Sequence, residues 1–363
     1  MFRLRRLAIL VAALLLCLLV LSGCGSVYGL TPGTIPLARP GATVVGVGLP
    51  DLVAVSRNGG ATWSLRRRGT FNETFFPRLC DVAFGDSHDV WAAQMGNERT
   101  GVVLVSHDGG WTWTAEHTGF IGNFLDVAAS GHHVWVVDDI PSVSAPTVAS
   151  SSLLASNNGG RTWHRESIPG PFPVICDVAF SDARRGWAVT QARNLSGSAV
   201  YSTVDGGRHW RLRYSTTDAA LSRLACVGQQ HCWVIGNDCQ VPGAIVETND
   251  GGAHWTQVIP DRSAYYRAIT FVDADYGWAV GGRTIIATTD GGRSWVRQTT
   301  PRLGDDLSTG CSSVAFSDRE HGWVMLGPIG LLVTENGGRS WTVVLPNRKG
   351  ADGFMAIACP KSG

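Results

Sequence analysis

The chain has 363 residues, 45 of them Gly and 14 Trp, with 16% charged residues and a formal net charge of +1. That much Gly argues against an all-helical fold, since a Gly inside a helix costs about 1 kcal/mol relative to Ala. A hydrophobic content of 44% excludes disorder, and the near-neutral charge with no Lys/Arg run leaves no electrostatic footprint for nucleic acid.

The first predicted element is a leader. Arg3, Arg5 and Arg6 precede an apolar run from Leu7 to Leu21, and Ser22, Gly23 and Cys24 follow. A basic stretch, a short apolar stretch and small residues make a secretory signal. The run Leu21-Ser22-Gly23-Cys24 resembles a bacterial lipobox, so residues 1–23 are expected to be a lipoprotein signal peptide and Cys24 the lipidated N-terminus. The alternative is a plain signal peptide or an uncleaved anchor, although fifteen apolar residues fall short of a comfortable span. Loss of three Arg and no acid would move the net charge from +1 to −2. Residues 24–42, rich in Gly, Pro, Ser and Thr, are expected to be a flexible tether. The remaining domain, 43–363, is thereby placed outside the cytoplasm, on the outer face of the cytoplasmic membrane or in the periplasm.

That domain is built on a repeat. Seven octapeptides share one pattern: SRNGGATW ending at Trp63, SHDGGWTW at Trp113, SNNGGRTW at Trp163, TVDGGRHW at Trp210, TNDGGAHW at Trp255, TTDGGRSW at Trp295 and TENGGRSW at Trp341. The steps between these Trp are 50, 50, 47, 45, 40 and 46 residues. A second series stands upstream in each later unit, at Trp91, Trp135, Trp187, Trp233, Trp278 and Trp323, leaving only Trp111 outside both. In the sixth unit, strands are predicted over 267–272, 276–280, 284–289 and 294–298, separated by the turn signals DAD, GG and DGG. Four-stranded units at this period predict an all-β, seven-bladed propeller. Blade one has only 43–48 and 52–56 before its octapeptide, so the surplus strand 354–359 is expected to complete it and close the ring.

The pattern [ST]-x-[DN]-G-G-x-[TSH]-W is the Asp-box, or bacterial neuraminidase repeat, placed on the hairpin between strands three and four. Gly-Gly permits positive φ, the Asp or Asn hydrogen-bonds its own turn, and the Trp packs between strands. A ring of seven catalytic carboxylates fails on the residues: Asn58, Asn158 and Asn336 stand where Asp108, Asp205, Asp250 and Asp290 do elsewhere. A turn accepts either side chain, and a general acid does not.

The full units, such as FVDADYGWAVGGRTIIATTDGGRSW (271–295) and FSDREHGWVMLGPIGLLVTENGGRSW (316–341), resemble the photosystem II assembly and stability factor-like propellers. That resemblance covers nearly the whole mature chain. It implies a seven-bladed, non-enzymatic, exported or lipid-anchored scaffold that binds assembly intermediates of membrane proteins, without a cofactor. Similar propellers occur in bacteria without photosynthesis, so the partner stays open. Photosynthetic members carry an arginine-rich patch, which makes Arg78, Arg223 and Arg267 the candidate binding residues here.

The competing reading is a carbohydrate-active or glycan-binding protein, because sialidases also carry Asp-boxes. Sialidases have six blades, a Phe-Arg-Ile-Pro motif and a late Tyr nucleophile. The nearest string here is Phe76-Pro77-Arg78-Leu79, and no Tyr follows Tyr276. Asp-box endoglucanases cleave between two propellers, and this chain has one. No metal site is expected: His132-His133 and Asp138-Asp139 each offer one ligand per strand face and read as solvated loop ends. The insertion 140–152 is a candidate partner loop. Of the Cys expected in the mature domain, Cys226 and Cys232 flank a five-residue turn and are the candidate disulfide. Cys80 and Cys176 both open CDVAF and read as buried apolar residues.

Overall fold

The computed structural model describes residues 42–49, 51–67, 78–95, 101–120, 122–139, 151–217, 219–236, 244–258, 265–301, 310–326, 330–344 and 353–361. The expected leader, Cys24, all but the last residue of the expected tether and all but the last two residues of the 140–152 insertion lie outside the described residues.

Alternating apolar residues between Gly-rich turns fold into seven four-stranded antiparallel sheets, each formed by strands consecutive in the sequence except at the ring closure. The innermost strands of blades two to seven are Arg78–Phe84, Asn123–Ser130, Val174–Phe180, Leu221–Val227, Ala268–Phe271 and Cys311–Phe316. In blade one that place is taken by the C-terminal strand Gly353–Ala358, which pairs antiparallel with Val44–Leu49 (Val45 opposite Ala358, Val47 opposite Ala356). The ring therefore closes as the strand arithmetic predicts. No helix occurs among the described residues.

Each box shapes its turn with its own side chains. Both Gly of every pair have positive φ, for example 78° and 96° at Gly206 and Gly207. The second Gly donates its N–H to the box Ser or Thr hydroxyl, from 2.7 Å at Gly60 to 3.0 Å at Gly207. The Asp or Asn accepts the N–H four residues on, as Thr62 to Asn58 (2.9 Å) and Thr112 to Asp108 (2.8 Å). Asn and Asp interchange because the neighbouring hydroxyl reverses its role. It accepts from the Asn58 amide (2.9 Å) and donates to the Asp108 carboxylate (2.7 Å).

The upstream Trp series lies deeper than the box Trp series. Trp91, Trp135, Trp187, Trp233, Trp278 and Trp323 are at most 2% exposed, whereas among the box Trp only Trp210 and Trp341 are buried, at 9% and 6%. Several of these buried indoles join consecutive blades. Trp135 lies flat on Phe180 of the next innermost strand, with centroids 3.5 Å apart, and Trp233 on Phe271 and Trp278 on Phe316 repeat the stack. The indole N–H then donates to the first box Gly of that next blade, Trp135 to Gly206 (2.8 Å) and Trp278 to Gly337 (3.0 Å). Trp323 reaches Gly59 (2.8 Å), so the same pin spans the closure between blades seven and one. Trp111, outside both series, meets the guanidinium groups of Arg57 and Arg66 of blade one, at 4.3 and 3.2 Å from its ring centroid.

Candidate functional site

The innermost strands converge on a central channel, and a bulge decides which side chains enter it. In blades two to five the ladder skips one residue, at Cys80, Leu125, Cys176 and Ser222. The residue after each bulge is Asp81, Asp126, Asp177 and Arg223, so four charged side chains share one register on four adjacent blades. Blades seven and one have Ser313 and Ala356 at that level.

Each Asp clips the next blade. Asp81 accepts the Val127 N–H (3.1 Å), Asp126 the Val178 N–H (3.0 Å) and Asp177 the Leu224 N–H (2.8 Å). Asp126 stands between Asp81 and Asp177 in this register, and neighbouring carboxyls act on one another's protonation. Burial, then the charge of Asp126, holds the Asp81 carboxyl well above the ordinary range. Burial, then Asp177, pushes Asp126 up to about 7. Asp177 is raised by burial against the pull of Arg223. Arg223 is enclosed by protein yet wet by the channel; enclosure works against its charge, but the three carboxyls outweigh it. Its Nη1 donates to the Cys176 carbonyl (2.8 Å).

Together with Arg267, Ser312 and Met355, this ladder lines a cavity of about 210 Å³. The fold brings Arg223 and Arg267 to one cavity, while Arg78, three residues before Asp81, places its Nε 3.0 Å from Met95 Sδ and does not line it. Cys80 and Cys176 are half-buried rather than buried as expected, because each occupies the bulge; Cys80 lines the cavity, and Cys176 packs against the apolar core between blades four and five. The three Asp were missed by sequence reasoning, although CDVAF, LDVAA and CDVAF carry them in one register.

Elsewhere, Cys226 and Cys232 face each other in the blade-five hairpin and carry a disulfide. Asp138 is no solvated loop end: it is fully buried, 3.4 Å from Ser152 Oγ and 3.3 Å from Arg165. No group of His, Cys, Asp and Glu suited to a metal ion occurs among the described residues. The box carboxylates are committed to their turns; Asp108 is only slightly buried, and its Thr112 and Ser106 donors draw it down to about 2. A larger hollow, about 310 Å³, opens between blades three and four and includes Asp205, whose carboxylate is bound within its own turn.

This architecture defines a seven-bladed Asp-box propeller closed through its first blade. Residues 155–265 and 261–353 match the family model of the photosynthesis system II assembly factor YCF48, and the chain belongs to that family. The photosystem II assembly lipoprotein Ycf48 of Synechococcus sp. (strain CC9902) is 25% identical over 282 residues, 77% of this chain and 78% of that protein. A solved structure of YCF48 bound to D1 peptide superposes with a TM-score of 0.54 at 17% identity, over 76% of this chain and 85% of that one. The GH74 xyloglucanase of Xanthomonas campestris gives a TM-score of 0.58 at 14% identity, over 90% of this chain and 55% of that one. Those two likenesses are of fold.

Proposed function

We propose that this protein is a non-enzymatic assembly scaffold that binds a segment of a membrane protein at its central channel. The observation that carries this reading is the convergence of Arg223 and Arg267 on one cavity in a chain of the YCF48 family. A pair of guanidinium groups in a partly enclosed channel suits a carboxylate, whether an acidic side chain or a chain end. A relative named as a lipoprotein and another solved with a D1 peptide support a protein partner and an anchored location. Lipidation at Cys24, with 24–42 as tether, would hold the domain on the outer face of the cytoplasmic membrane or in the periplasm.

The carbohydrate reading has less support. No Tyr or Glu is among the described residues lining the channel cavity, and its carboxyls are engaged with backbone N–H groups. The test is crosslinking and affinity capture of the anchored protein from its native membrane, beside an Arg223→Gln/Arg267→Gln double variant. Recovery of a membrane protein by the wild type and its loss in the variant is expected. Recovery of no membrane or envelope protein by the wild type would overturn the scaffold reading.

A further inference from the structure

The channel holds more acid than a carboxylate-binding site needs, and the acids are arranged as a relay. Among the cavity-lining residues, blade two contributes Cys80 and Asp81, blade three Asp126, blade four Asp177, blade five Arg223 and blade six Arg267. Blade seven contributes Ser312 and Ser313, and blade one Met355, Ala356 and Ile357, none of them charged. Nearby, Arg78 acts on the Cys80 thiol, and Cys176 offers its carbonyl to Arg223.

Burial and the neighbouring carboxyl favour the protonated forms of Asp81 and Asp126, while Arg223 favours the charged form of Asp177. In that state the lining carries two guanidinium charges against one carboxylate. Loss of the Asp126 proton adds a second negative charge and cancels the surplus. No His lines the cavity among the described residues, so the acids set its charge near neutral pH.

We propose that the Asp81–Asp126–Asp177 ladder is a proton-operated charge gate on the channel. When loaded it leaves a surplus positive charge for an anionic group of the partner, and when unloaded it removes that surplus. The proposal rests on the channel being the binding site. The titration of Asp126 at about 7 places the transition in the neutral range. In a wet channel, one unit of charge acting on a dianion several ångströms away changes affinity by about tenfold.

Inorganic sulfate is the probe, because it stays a dianion throughout this range and any pH dependence belongs to the protein. Calorimetric titration of the full-length protein should show sulfate bound about tenfold more tightly at pH 6 than at pH 8. Asp126→Asn keeps every His yet should bind at both pH values with the pH 6 affinity, and Arg267→Gln should lose binding at both. Asp81→Asn, one rung along, should flatten the profile as well and serves if the first variant does not fold. Equal wild-type affinity at the two pH values, or an unchanged profile in the Asn variants, overturns the gate and leaves the channel site standing. Binding that survives Arg267→Gln, or no sulfate binding by any of the proteins, overturns site and gate together.

Discussion

Replacing Asp126 by Asn installs a permanent copy of the protonated carboxyl. The amide oxygen can still accept the Val178 N–H, which lies 3.0 Å from Asp126 Oδ2, and the amide N–H can donate to Asp177. The group sits at about 7 in the folded chain against an ordinary 3.8, so the folded state binds the proton more tightly than the unfolded state. Its stabilising contribution is therefore complete below pH 3.8 and is lost as pH rises to 7. At about 1.4 kcal/mol per pH unit, the loss across that window is about 4 kcal/mol. The variant lacks this loss, so its stability relative to wild type should climb by about 4 kcal/mol between pH 4 and pH 8. For a propeller of about 320 residues this is roughly 6 °C in melting temperature. Denaturant and thermal unfolding at pH 4, 5, 6, 7 and 8 would measure it. A constant difference between the two proteins across that range would refute the ladder as a proton store, whatever the absolute stabilities.

Other consequences are equally concrete. Trp323→Phe removes the indole N–H from the Gly59 carbonyl across the closure and should cost about 1–3 kcal/mol; hydrogen exchange should quicken in the strands 44–49 and 353–358 before the other blades. Asp108→Asn should leave stability within about 0.5 kcal/mol, since Thr112 turns from donor to acceptor as its counterpart Thr62 does beside Asn58, whereas Asp108→Ala should cost about 1–2 kcal/mol by orphaning turn N–H groups. Reduction of Cys226–Cys232, which closes a short hairpin loop, should lower stability by about 2 kcal/mol, and mass mapping without reductant should find neither thiol alkylated. Cys24→Ala should release the protein from membranes, and an unchanged membrane fraction would count against lipidation there.

The amino-acid sequence by itself determined the blades. A box is legible because the side-chain hydrogen bonds that shape its turn span at most four residues, as in Ser56, Asn58, Gly60 and Thr62, and so lie within one octapeptide. The same locality made the strand count reliable and placed the C-terminal strand in blade one. Only the tertiary structure decided what lines the channel. Asp126 meets Asp81 and Asp177 from blades on either side, 45 and 51 residues away in the chain, and a single bulge residue before each Asp sets which side chains turn inward. Period-two alternation breaks at a bulge, so reading CDVAF as a plain strand drew attention to Cys80 and Cys176 and passed over the acids beside them. The upstream Trp residues followed the same logic: their spacing marked the blades, but their stacks on Phe180, Phe271 and Phe316 and their bonds to the next box exist only once neighbouring blades are packed.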